Sequence, residues 1–273
     1  MPIRHAAALA VALLASPALA QWDPANGQWG KSDPTDLRVM TWNVEDGICS
    51  TNTKDDAFSN WNGIVRIITA MQPDVLIMQE VGDNSGNGSG SGVDSVGDLE
   101  TTLRLMIEGG FDPFRGVAVT SYCQLFDPAF DLPHIYVSGS SDGFNRNVIL
   151  SRYPFADINN DGDATGRDIA LLSDPTAWPT AFDAQIRGFA WAEIDLPDDT
   201  YAGDVFVGNS HLKSGGSSSD FDQRLDAAQT IAYFIQYYLN GNGTGIADPS
   251  GVMLNPNGGT VLDPNTPAIW GGD

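Results

Sequence analysis

The chain has 273 residues, 42% of them apolar. That length suits one large α/β domain or two small ones, since single domains run to about 250 residues. Its 13 basic residues face 35 acidic ones, a formal charge of −22, which excludes a passive polyanion binder relying on Lys and Arg but not an enzyme that meets phosphate through a divalent cation.

Residues 1–20 read as a signal peptide. Arg4 and His5 give a short basic start, and Ala6 to Ala15 is apolar but shorter than the roughly 20 residues a bilayer span needs. Pro17 precedes the small-x-small cleavage site Ala18-Leu19-Ala20. The expected product starts at Gln21 and is secreted or periplasmic. It loses Arg4, so 12 basic residues against 35 acids give −23. No other segment is long and apolar enough for stable membrane insertion, and a monomer is expected.

Residues 21–36, rich in Gly, Pro, Asp and Asn, form a leader loop. Leu37 to Val44 is a strand. Asp55 to Met71 has apolar residues at helical spacing (Phe58, Trp61, Ile64, Val65, Ile68, Met71), with Asp55 or Asp56 as cap. Val75 to Val81 is a buried strand, residues 82–97 a flexible loop, and Asp98 to Glu108 a helix stopped by Gly109-Gly110. Strands are expected around Val117–Leu125, Ile135–Val137 and Asn147–Tyr153. In Gly188–Leu196, Ala190, Ala192, Ile194 and Leu196 alternate with Phe189, Trp191, Glu193 and Asp195. Asp204 to His211 is a buried strand. Asp220 to Leu239 is the strongest helix, with Leu225, Ala228, Ile231, Ala232, Ile235 and Leu239 as its stripe. After a loop at 240–266, Ala268 to Trp270 begins the last strand. The two cysteines, Cys49 and Cys123, are either a disulfide or two buried thiols.

Several of these apolar runs end in a polar group: Asn43 and Glu45, Glu80, His211 and Asp273. Carboxylate oxygens hold Mg²⁺, Mn²⁺ or Ca²⁺, an amide orients phosphate or a carboxylate, and histidine moves protons near neutral pH. Singly, each has a plainer explanation: a turn at Asn43, an exposed acid at Glu80, a satisfied core histidine at His211. Together, at converging strand ends, they describe a site for phosphodiester hydrolysis.

Five motifs, in order, carry a resemblance. They are Thr41-Trp42-Asn43-Val44-Glu45, Met78-Gln79-Glu80, Asn145 to Pro154, Asn209-Ser210-His211-Leu212-Lys213-Ser214 and Gly271-Gly272-Asp273. Across residues 37–273 the chain resembles the endonuclease/exonuclease/phosphatase superfamily, and the His-Leu-Lys-Ser form is most similar to its secreted bacterial nucleases. The resemblance implies a four-layered α/β sandwich, two packed mixed sheets flanked by helices, with the site at one end of the sheets. It implies Glu80 as principal ligand of Mg²⁺ or Mn²⁺, Glu45 as a second acid, and Asn43 near metal and phosphate. His211 is placed against the scissile phosphate. Asp273 corresponds to the acid of a Gly-Asp-x-Asn motif. Arg146 or Asn147 is a phosphate contact, or the stretch is structural, and Tyr122 and Tyr136 are both open as a site tyrosine. The sequence ends before the motif's Asn and before a later Ser-Asp-His segment that supplies the general base. The expectation is therefore a fragment lacking the C-terminal part of its domain, slowed about 10²–10⁴-fold for want of that base.

Residues 157–168 resemble a twelve-residue calcium loop. Oxygen ligands fall at Asp157, Asn159 and Asp161, Gly162 takes the sixth place, Asp163 lies within the loop, and Asp168 takes the twelfth. A structural Ca²⁺ bracing an insertion is expected. The leading reading is a secreted metal-dependent nuclease with nucleic acid as partner. The alternatives are a lipid or sugar phosphodiesterase or phosphatase, and a non-catalytic calcium-dependent adhesion module. Lys213, Arg146, Arg152, Arg187 and Arg224 are the candidates for a basic strip.

Overall fold

The computed structural model describes residues 22–23, 28–29, 31, 33–82, 94–139, 141, 145–157, 189–240 and 266–273. The proposed signal peptide and all of the calcium loop except Asp157 lie outside them, as does Arg187. The chain divides into a unit at Met1–Asp36 and a larger one at Leu37–Asp273. In the first, β1 (Trp22–Asp23) pairs antiparallel with β2 (Gln28–Trp29).

The larger unit opens with β3 (Val39–Asn43), then α1 (Asn60–Met71) and β4 (Val75–Val81). The helix starts later than its apolar spacing predicts. Asp56 does not cap it; its carboxylate accepts the Phe58 amide in a local turn. Ser59 is the cap instead, its side chain accepting from the Asn62 amide, and Phe58 is left exposed. At the other end Gln72 turns left-handed at φ 45° and returns its N–H to the Ile68 carbonyl.

Next come α2 (Val96–Glu108), β5 (Gly110–Asp112), β6 (Val117–Val119) and α3 (Tyr122–Phe126). The expected strand through Leu125 therefore stops at Val119. Ser121 ends it, its side chain accepting from the Gln124 amide to start α3. A Cβ at Gly109, where φ is 69°, would lie 2.6 Å from the Ser121 nitrogen, so glycine alone permits this crossing. The strands β7 (His134–Val137), β8 (Arg146–Ser151), β9 (Phe189–Ile194) and β10 (Val205–Ser210) follow. The chain closes with α4 (Ser218–Asn240) and β11 (Ala268–Gly272).

Two mixed sheets result, in orders β3-β4-β8-β7 and β11-β10-β9. Strand alternation sends Leu76, Met78, Val148 and Leu150 to one face, where they pack with Trp61, Val65 and Ile68 of α1 and Leu99 and Leu103 of α2. The opposite residues, Val75, Ile77 and Ile149, meet Ala190, Ala192 and Ile194 of β9 and Val205 and Val207 of β10. The sheets therefore pack face to face, with helices on the far side of the first. The β9 alternation is as expected from sequence.

Of the predicted stripe of α4, Ile231 is buried, as is Ala227 one turn before it, whereas Leu225 near the helix start is exposed. Its first turn is closed by Ser217 and Asp220, each accepting from the other's backbone amide. Cys49 and Cys123 are both buried and remain thiols, the second with its sulfur 3.0 Å from Thr69 Oγ1. Beneath the segment after β3, Lys54 is fully buried against Asp112 at 2.9 Å and donates to the Ser50 carbonyl at 2.8 Å.

Candidate functional site

At the end of β3 the chain makes a left-handed turn through Glu45 (φ 45°) and Asp46 (φ 59°). Such backbone is costly for residues with a Cβ and needs fixing from outside. Here the Asp46 amide donates to the Glu80 carbonyl at 3.1 Å, and Asn145 Nδ2 donates to Asp46 Oδ1 at 2.5 Å. The Glu45 amide donates to Asn43 Oδ1 at 3.0 Å. That contact orients the Asn43 amide, whose Nδ2 then donates to Asp273 Oδ2 at 2.6 Å.

The strand β4 carries a bulge. Its register with β8 runs as far as Met78↔Val148 and resumes at Val81↔Arg146. Gln79 and Glu80 therefore face Asn147 alone, and Glu80 takes φ 55°. The kink leaves Gln79 buried and brings Glu80 Oε1 to 3.1 Å from His211 Nε2.

From the second sheet, His211 follows β10 directly and is buried. Asp273 follows β11. Parallel pairing sets Gly272 opposite Ser210, the Asp273 amide donates to the Ser210 carbonyl at 3.2 Å, and the Leu212 amide donates to the Asp273 carbonyl at 2.7 Å. A Cβ at Gly271 would fall 2.7 Å from Thr41 Oγ1, so the glycine lets β11 lie close on β3.

The structure thus brings Asn43, Glu80, His211 and Asp273 together. One donor atom from each of Glu80, His211 and Asp273 lies within 4.8 Å of the others. Ligands of Mg²⁺, Mn²⁺ or Ca²⁺ sit about 2.0–2.6 Å from the ion, so donors up to about 5 Å apart can share one. Two carboxylates and an imidazole suit a divalent cation of this kind, and the residues fit the group. Glu45 is exposed at the adjacent turn and stands outside this cluster.

The other expected residues make these contacts. The Arg146 guanidinium donates to the carbonyls of Asp94, Ser138 and Gly139, and burial lowers its pKa. Asn147 is buried within β8. Tyr136 is buried between the sheets, and Tyr122 lies under the Arg66 guanidinium at 4.7 Å. Arg152 pairs with Asp74 at 3.1 Å, Lys213 lies 3.5 Å from Asp220, and Arg224 donates to the Lys213 and Gly215 carbonyls.

Sequence reasoning missed Asn145, which stands in the quoted motif beside Arg146 and is the member that reaches the site loop. It also missed Asn209 and Gln79, which lie buried behind His211 and Glu80 and bond to one another at 2.8 Å. Their signal was an amide inside an otherwise apolar strand. At the opposite end of β10 a separate cleft of about 670 Å³ is lined by Leu37, Glu193, Tyr201, Asp204, Pro267 and Ile269. Burial there, reinforced by Asp204 and Asp195, pushes the Glu193 carboxyl up to about 7.

Residues 40–201 match the model of the Endonuclease/Exonuclease/phosphatase family. No curated protein matches the chain. A solved endonuclease/exonuclease/phosphatase from Beutenbergia cavernae is similar at 22% identity and TM-score 0.36, over 69% of this chain and 42% of that one. A humanized D. rerio TDP2 is similar at 13% identity and TM-score 0.35, over 74% and 57%. ANGEL2, a 2',3'-cyclic phosphatase, is similar at 12% identity and TM-score 0.34, over 75% and 50%. This chain therefore spans less than two thirds of each of those chains. With a family match over more than half its length and a mixed α/β fold, the chain belongs to the endonuclease/exonuclease/phosphatase family.

Proposed function

We propose that this chain carries the metal centre of an exported phosphodiester hydrolase acting on nucleic acid. The observation that supports it best is the meeting of Glu80, His211 and Asp273, delivered by two different sheets, with donor atoms within 4.8 Å. Glu80 and Asp273 are the ligands for Mg²⁺ or Mn²⁺. A bound ion of this kind draws charge from phosphoryl oxygens and lowers the pKa of coordinated water.

The chain's own residues do the rest. Asn43, held by its turn, fixes the Asp273 carboxylate through Nδ2. Glu80 Oε1 lies 3.1 Å from His211 Nε2, which sets the imidazole ring beside the carboxylates. A ring so placed steadies negative charge developing on a phosphate in the transition state. The loop at 157–168 takes Ca²⁺ as a brace, and residues 1–20 direct export.

The test is a calorimetric titration of the purified chain with Mn²⁺, alongside hydrolysis of plasmid DNA. Glu80→Gln is expected to abolish both. Undiminished Mn²⁺ binding by that variant would refute the assignment. A smaller phosphoester substrate is the second reading. It is favoured by the contacts of Arg146, Arg152, Lys213 and Arg224, each of which already meets a protein carboxylate or carbonyl. Faster turnover of a small phosphodiester than of DNA would select it.

A further inference from the structure

The contact between the sheets is mainly apolar, built from Val75, Ile77, Ile149, Ala190, Ala192 and Val207. Two buried amides join across it. Asn209 of β10 is fully buried and donates through Nδ2 to the carbonyls of Met78 and Val148, at 2.9 Å each. Its Oδ1 accepts from Gln79 Nε2 at 2.8 Å. Buried amides are costly unless satisfied, and this pair is satisfied by crossing from one sheet to the other.

The place of that crossing matters. Met78↔Val148 is the last pair in register before the bulge of β4. Asn209 holds the carbonyls of both members. Glu80 lies two residues beyond Met78, and His211 lies two beyond Asn209. A regular pleat in place of the bulge would carry Glu80 to the other face of the strand. We propose that Asn209, with Gln79, is a positioning residue: it pins the bulge that brings Glu80 to His211 and so sets the geometry of the ion's donors. This rests on the metal-site reading above. The bridge is an outer contact of the site, the kind whose loss typically weakens metal affinity without removing a ligand.

The experiment measures Mn²⁺ affinity by calorimetry and the thermal midpoint in parallel, for the wild type, Glu80→Gln, Asn209→Ala and Gln79→Met. Asn209→Ala is expected to bind Mn²⁺ about 10–100-fold more weakly at a temperature where it is fully folded. Gln79→Met should shift affinity the same way by less. The double variant should bind no more weakly than Asn209→Ala, because the two amides act through one contact. Wild-type affinity in Asn209→Ala, with only a lowered midpoint, would leave it a structural role alone and overturn the proposal. If Asn209→Ala does not fold, Gln79→Met decides by the same criterion. Mn²⁺ affinity that survives Glu80→Gln removes the metal-site reading itself, and the proposal with it.

Discussion

Glu193 offers a test of the electrostatics that needs no ligand. It lies on β9 at the cleft at the other end of β10 from the Glu80–His211–Asp273 cluster, and burial, then Asp204, then Asp195 push its carboxyl up from 4.5 to about 7. A folded-state value above the unfolded one favours the protonated form in the fold. The resulting stability is fully present below 4.5 and is lost as pH rises through about 7, where the charged carboxylate must stay among its acidic neighbours. At full strength a displacement of that size corresponds to about 3 kcal/mol. Glu193 is partly open to solvent, and screening reduces this to about 1 kcal/mol. Glu193→Gln keeps the shape and removes the charge. Its stability relative to the wild type should therefore rise by about 1 kcal/mol between about pH 5 and pH 8. Urea unfolding followed by tryptophan fluorescence measures this, and thermal midpoints should move by about 2–4 °C. A pH-independent difference, or a Gln variant less stable than the wild type at the alkaline end, would refute the reasoning.

Lys54→Met strands the buried Asp112 carboxylate and should destabilise the domain by about 3–5 kcal/mol in urea unfolding, with part regained in the double variant with Asp112→Asn. Asn43→Asp places a second carboxylate where the amide now meets Asp273 at 2.6 Å. It should lower the thermal midpoint without metal and enlarge the rise that Mg²⁺ produces, and an Mg²⁺-induced rise equal to the wild type's would count against the arrangement. Gly271→Ala drives a Cβ against Thr41 and should cost about 1–3 kcal/mol while weakening Mn²⁺ binding, because Asp273 shifts with β11. Calorimetry and thermal unfolding on the one variant check both halves.

The strands were legible where period or burial was strong. Val75–Val81 has the limits expected from its apolar run, and the β9 alternation names the residues that enter the sheet interface. Helix ends were less so. Whether Asp56 or Ser59 caps α1 depends on which makes a local turn, and both residue types favour either role. The strand expected through Leu125 gives way to α3 because Ser121 crosses Gly109, a contact distant in sequence. The gathering of Asn43, Glu80, His211 and Asp273 was suggested by polar residues at strand ends. The bulge that turns Glu80 towards its partner was not, since Met78-Gln79-Glu80-Val81 carries no glycine or proline to mark it. For Arg146 the motif left a phosphate contact and a structural part equally open, and here it ties down three carbonyls.

Glu80 hangs from one sheet and His211 and Asp273 from the other, with apolar side chains alone filling most of the seam between them. An ion seated there would act as a rivet through both plates. Any affinity for the assembled seam is at once resistance to its parting, worth about 2.7 kcal/mol at a hundredfold excess over the dissociation constant. Chelation should then loosen the whole sandwich, and heat should silence the centre at the moment the plates separate, not before.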